Sequence, residues 1–225
     1  MRSLDDKTIV DSWNKNALPW TRAVRDGQIE SRTLLTNKAI VESILTRNPD
    51  SVLDIGCGEG WLIRELAPRV SHLVGIDAVP DLISQAEGAG GGEFFVASYK
   101  EIPDLSFGNL FDLVVCNFSL LGNESVDELF RSIPSLLKPA GVFMIQTLHP
   151  VVACGDLPYV DGWREGSWSG FGDEFVEPAP WYFRTLESWM AMFSANAMQL
   201  VEMKEPTLRN ANKPASVIFV AHATL

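Results

Sequence analysis

From Ser51 onward, short apolar runs alternate with amphipathic stretches. Ser51–Ile55, 72–76, 93–97, Phe111–Asn117 and 142–147 read as strands, while 61–70, 80–87 and a segment from Ser125 to about Lys138 read as helices. Phe111–Asn117 is almost continuously apolar, which predicts burial on both faces. Pro80 suits a first helical turn, Ser125-Val126-Asp127-Glu128 has the spacing of a capping box, and Pro134 predicts a kink. Pro139-Ala140-Gly141 breaks the chain ahead of strand 142–147. Strands and helices in this rhythm predict right-handed crossovers and a parallel, doubly wound α/β sheet.

The rhythm is absent on either side. Residues 1–48 read as helical, with Leu34, Leu35, Ile40, Val41, Ile44 and Leu45 near a helical period and Asn48-Pro49-Asp50 as the stop. Residues 149–184 carry Pro150, Pro158, Pro178 and Pro180 among glycines and aromatics, too long a stretch for a plain connector. A helix at 185–197 and strands at 199–204 and 215–223 follow, the last two joined as an antiparallel hairpin. The organisation expected is a helical cap over 1–48 and an α/β domain over 49–225, with 149–184 inserted over the substrate side.

Composition narrows the partners. A hydrophobic fraction of 46% builds a core, and a net charge of -11 disfavours nucleic acid or an anionic membrane as the main partner. The apolar runs are too short to span a bilayer, and Met1-Arg2-Ser3-Leu4-Asp5-Asp6 has no apolar signal core. Cys57, Cys116 and Cys154 lack CxxC spacing and read as thiols of a reducing cytoplasm. The acids from Asp156 to Glu177 are irregularly spaced and read as a solvated face, so no metal is expected. A small-molecule substrate fits this picture, and the oligomeric state stays open.

Candidate chemistry starts where the first strand ends, in Asp54-Ile55-Gly56-Cys57-Gly58-Glu59-Gly60. A dinucleotide turn wants G-x-G-x-x-G, with pyrophosphate on the amides. Here the spacing is G-x-G-x-G, and Asp54 and Glu59 would repel a pyrophosphate. The same acids suit a cationic cofactor with a free amine, such as S-adenosylmethionine (SAM), a sulfonium. Asp77, closing the second strand, can accept both hydroxyls of a ribose, which SAM and NAD alike provide.

Val52-Leu53-Asp54-Ile55-Gly56-Cys57-Gly58-Glu59-Gly60 resembles the first motif of the class I SAM-dependent methyltransferases. Phe111–Asn117 is similar to their fourth-strand motif. Leu136-Leu137-Lys138-Pro139-Ala140-Gly141 is similar to their LLKPGG passage, with Ala140 in place of a glycine. Arg184-Thr185-Leu186 and Glu202-Met203-Lys204-Glu205-Pro206 resemble the late helix and strand of the small-molecule members, with the ubiquinone-type O-methyltransferases the nearest in look. The resemblance covers roughly residues 30–225 and is loosest over 149–184.

It implies a Rossmann-like, seven-stranded, mostly parallel sheet with an antiparallel strand near the C-terminus, and methyl transfer from SAM that leaves S-adenosylhomocysteine. The acceptor expected is a small, partly apolar molecule methylated on oxygen. Gly56, Gly58 and Gly60 would line the methionine portion, Asp54 would hold its amine directly or through water, and Arg32 its carboxylate, in the bidentate manner of a guanidinium. Asp77 would bind ribose and Ala78 would lie beside adenine, with Ser98 and Tyr99 close by and Asn117 touching the cofactor through its backbone. His149 stands after the fifth strand, either as a base for a hydroxyl or as a structural group before Pro150. Trp13, Trp20, Tyr159, Trp163, Trp181 and Tyr182 are candidates to cap the substrate, or to form a mini-core. A nucleic-acid methyltransferase acting on tRNA and a SAM-binding protein without turnover remain open beside this reading.

Overall fold

Nine strands are present in the computed structural model, which describes residues 3–209 and 211–224. They are β1 (Ser51–Ile55), β2 (His72–Asp77), β3 (Glu93–Val96), β4 (Phe111–Asn117), β5 (Leu137–Thr147), β6 (Gly162–Arg164), β7 (Trp181–Phe183), β8 (Met198–Lys204) and β9 (Val217–Ala223). Seven form one sheet in the order β3-β2-β1-β4-β5-β9-β8, and β6 pairs with β7 alone. Only β9 runs against its neighbours in the large sheet, antiparallel to both β5 and β8. The chain leaves β1 towards β2 on one side and β4 towards β5 on the other, so a crevice opens at the carboxyl ends of β1 and β4, where open α/β sheets bind ligands.

The helices are α1 (Asp6–Arg25), α2 (Asn37–Leu45), α3 (Trp61–Leu66), α4 (Pro80–Ala89), α5 (Glu124–Leu136), α6 (Pro150–Ala153) and α7 (Leu186–Ala195). Alternate residues of β4 enter different cores, as its continuous apolar character predicts. Leu113 and Val115 join Ile40, Ile44 and Leu62 on one face, and Val114 and Cys116 join Phe130, Phe143 and Phe193 on the other. Among the described residues no helix is long and apolar enough to cross a membrane.

Three local expectations are corrected. The capping box at Ser125 does not form: Asn123 is the N-cap of α5 and makes no side-chain cap bond. The carboxylate of Asp6 in α1 caps it instead, accepting from the backbone N–H of Asn123 at 2.8 Å and of Ser125 at 2.6 Å. Pro139-Ala140-Gly141 lies inside β5 and does not precede it. Phe111 pairs with Leu137, the register shifts before Leu113, and Ala140 takes a φ of 63°, so the passage is an irregularity that a paired neighbour tolerates. Helix α3 stops at Leu66, short of residue 70. Asp112, at the other end of β4 from the crevice, ties the backbone N–H groups of Asp50 and Ser51 to the ammonium of Lys138, a structural role.

Candidate active site

The turn after β1 is fastened to the end of β2. The N–H groups of Gly56 and Cys57 donate to the Ile76 carbonyl at 2.7 and 2.9 Å, and the Asp77 carboxylate accepts from Gly58 and Val79, each at 2.9 Å. Burial pushes the Asp77 pKa up, against the pull of those N–H groups. Each carboxylate oxygen keeps a second lone pair for a hydroxyl donor. Gly56 has a φ of +77°, and a Cβ there would stand 2.2 Å from Cβ of Ser119 in the loop after β4. The close approach of two loops over the crevice therefore requires glycine.

Above this turn lies a cavity of about 920 Å³, whose wall includes Gly56, Gly58, Asp77, Ala78, Ser98, Tyr99 and Asn117. Gly60 is not on the wall. A Cβ there would press on Ala86 at 3.0 Å and Phe94 at 3.2 Å, so its smallness serves helix–sheet packing. The Ser98 hydroxyl is engaged with Glu101 at 2.6 Å, capping the 3-10 turn Tyr99–Asp104. The Tyr99 hydroxyl donates to the Ser119 carbonyl at 2.9 Å, and burial raises its pKa well above the ordinary phenol range. Asn117 keeps a buried side-chain oxygen without a partner.

The charges under the turn differ from the expected pair of acids. Glu59 is fully buried and neutralised by Arg25 and Arg64, each at 2.7 Å, so it exerts no bare negative field on the cavity. That corrects the electrostatic argument as far as it rested on Glu59. Asp54 lies behind the wall, 1% exposed, with Oδ1 unpartnered. Desolvation, helped by the charge of Asp77 and opposed by that of Arg32, raises its pKa to about 8.

Arg32 opens a π-helical turn, Arg32–Thr36, in which the N–H of Asn37 reaches back to its carbonyl. Such turns often occur at functional positions. The guanidinium sits over the Trp20 ring at 5.6 Å and the Trp61 ring at 4.9 Å. Its Nε donates to Asn37 at 3.2 Å, its Nη2 is buried without a partner, and it makes no ion pair among the described residues. Burial lowers its pKa to about 10, with Glu59 and Asp54 opposing the shift, so it stays charged at pH 7. A buried cation on the cavity wall with an idle donor is suited to a carboxylate.

A family model for a methyltransferase domain matches residues 52–141. The chain is 28% identical to an uncharacterized methyltransferase of Schizosaccharomyces pombe, over 77% of this chain and 69% of that protein. It is 24% identical to the ubiquinone biosynthesis O-methyltransferase of Rickettsia canadensis, over 81% of each. Residues 52–141 thus match a methyltransferase domain, and the chain is similar to methyltransferases over most of its length. Its fold is that of magnesium protoporphyrin IX methyltransferase from Synechocystis with bound S-adenosylhomocysteine, with a TM-score of 0.67 at 17% identity over 98% of this chain and 100% of the other.

The insertion and α1 meet over the cavity. Trp13 packs on Trp20 at 5.0 Å and on Trp168 at 5.7 Å, and Trp20 lies 6.2 Å from Phe171. Asn16 exchanges two hydrogen bonds with the backbone of Val176, at 2.8 and 2.9 Å, and Ser12 donates to the Glu177 carbonyl at 2.6 Å. Trp13, Trp20, Trp181 and Tyr182 line the cavity. Tyr159 and Trp163 do not: the Tyr159 hydroxyl accepts from the N–H of Leu186 at 2.9 Å, and Trp163 packs on Tyr182 across β6 and β7. These two pack within the insertion away from the cavity, Tyr159 also against Phe183. Trp168 and Phe171, part of the aromatic-rich stretch, and Trp189 just after it also reach the wall, as does Trp61, which was not singled out from the sequence. Trp61 stands directly after the motif, a position that could have flagged it.

Of the two readings of His149, the geometry fits the structural one. Leu148 and Pro150 line the cavity, but the His149 ring is 4% exposed and turned inward, with Nε2 at 2.8 Å from Glu205. No histidine among the described residues lines the cavity. Arg184 is a second residue that sequence reasoning passed over as a site residue. It lies beneath the Tyr182 and Trp189 rings and donates to the Gly122 carbonyl at 2.7 Å and the Asn123 carbonyl at 3.0 Å, bracing the loop after β4.

Proposed function

We propose that this methyltransferase modifies a small, partly apolar acceptor on oxygen, and that the cavity takes SAM on the β1–β2 side and the acceptor on the aromatic side. The observation that carries the cofactor half is Arg32, with its idle nitrogen held between two indoles. Arg32 receives the methionine carboxylate. Asp54, from beneath the turn, favours the ammonium through a bridging water or by its field. Asp77 accepts the ribose hydroxyls, with Ala78, Ser98 and Tyr99 beside the adenine and Asn117 next to the reacting end. Helix α1 and residues 149–184 form the cap over both ligands, while α2 packs against the sheet. The activity named for the Rickettsia relative supports oxygen as the accepting atom.

When bound, SAM supplies a methyl group already activated by its sulfonium sulfur. What remains for the chain is to hold the acceptor in line with that methyl and to exclude water. The indoles of Trp13, Trp20 and Trp181 supply an apolar wall for both tasks. His149 acts by fixing the chain between β5 and α6 through Glu205, away from the reacting atoms.

Titration calorimetry with S-adenosylhomocysteine tests the cofactor half. Arg32→Ala is expected to weaken binding by about tenfold or more, the loss of a charge-assisted pair. Unchanged affinity in that variant would remove Arg32 from the site. Turnover of labelled SAM with phenolic acceptors, but not with the corresponding amines, is the result expected for oxygen; the reverse preference would overturn it.

A further inference from the structure

The acceptor side of the cavity carries one carboxylate that the proposed reaction has not used. Three carboxylates face the cavity among the described residues: Asp6, Glu59 and Asp77. Glu59 is consumed by two arginines, and Asp77 belongs to the cofactor turn. Asp6 stands on the other side, against Gly122 and Ser125 and near the aromatic wall of the insertion. Its two oxygens each take one backbone N–H from the start of α5, and it has no ion pair among the described residues. The neighbouring Lys7 is exposed and paired with Asp11, Arg184 is held by two backbone carbonyls and pairs with Asp127 at 3.4 Å, and Lys100 adjoins Tyr99 on the cofactor side. Asp6 is therefore a half-buried carboxylate on the cavity wall with no paired cation among the described residues, and each oxygen, having accepted one N–H, retains a lone pair.

Resting on the methyltransferase reading, we propose that Asp6 is a specificity determinant for the acceptor. It selects a planar, apolar molecule that carries a hydrogen-bond donor, a hydroxyl or an ammonium, and it rejects one that carries an anionic group. The two helix N–H bonds hold the carboxylate in a single orientation, so a donor meets a fixed acceptor without reorganisation. An acceptor carboxylate would meet a like charge in a partly desolvated wall, which disfavours it.

The test uses the full chain saturated with S-adenosylhomocysteine and three matched catechols bearing an aminoethyl, a hydroxyethyl or a carboxymethyl arm. Tryptophan fluorescence reports binding, since several indoles line the cavity. The carboxymethyl catechol is expected to bind about tenfold or more weakly than the aminoethyl one, the scale of one charge pair in a half-buried site. In Asp6→Asn and in Asp6→Ser, which keeps a helix-capping oxygen, the three should converge to within about twofold. Retained S-adenosylhomocysteine binding identifies a folded variant. The proposal fails if the wild-type chain binds the three catechols alike, if it binds none of them, or if the ranking survives in a folded variant. Loss of S-adenosylhomocysteine binding by the wild-type chain would instead overturn the methyltransferase reading beneath it.

Discussion

Asp54 holds its proton more firmly than an aspartate in water because burial strips water from its carboxylate and the charge of Asp77 lies near. Its pKa is raised from 3.8 to about 8, so between those values the folded chain binds more protons than the unfolded one. Its contribution to stability therefore declines as pH rises through that window. A cationic amine placed above the turn reverses the preference and favours the carboxylate. Binding of S-adenosylhomocysteine at pH 7 is then expected to release a proton. Calorimetry in two buffers of different ionisation enthalpy would measure it, and the difference should vanish in Asp54→Asn. Identical heats for the wild-type chain in both buffers would contradict the assignment.

Helix α1 earns its place over the cavity through bonds that join it to distant elements. Asp6 caps α5, and Ser12 and Asn16 bond the backbone at 176–177. Asn16 is fully buried and serves Val176 as both donor and acceptor. Asn16→Ala would leave a backbone N–H and a carbonyl unpaired, at a cost of about 1–3 kcal/mol each. The loss should fall on α1 and the insertion, whose mutual hydrogen bonds lie outside the two cores. Hydrogen exchange is expected to quicken across 166–178 in this variant while β1 and β4 stay protected. Equal acceleration in the central strands would place the cap within the core's cooperative unit.

Across the whole molecule, a net charge of -11 coexists with a cavity of about 920 Å³, at the large end of small-molecule sites. That volume gives room for a cofactor and an acceptor together, and the acidic surface offers little to a polyanion. A gel shift with tRNA at about 0.15 M salt is expected to show no retardation, because phosphate binding relies on clustered Lys and Arg. A shifted band resistant to salt would revive nucleic acid as the acceptor.

The α/β order, the burial of β4 on both faces and the glycine turn at the carboxyl end of β1 were all readable in the chain. Each depends on local periodicity or on a motif whose spacing reflects backbone geometry. Asp77 and Ala78 could be placed at the cavity wall because one closes a strand and the other follows it. The role of Glu59 could not, because its neutralising partner Arg25 comes from a helix 34 residues away. The same reason hid Asp6, which caps a helix 117 residues along the chain in place of the local Ser125 box. His149 lay in the predicted connection, but whether a ring faces a cavity or a neighbouring glutamate depends on loop direction, which no periodicity encodes. Local order and the cofactor turn were thus determined by the sequence itself, since short-range sterics suffice for them. Which charges stay bare, and which aromatics reach the acceptor, was decided only when tertiary packing brought distant segments together.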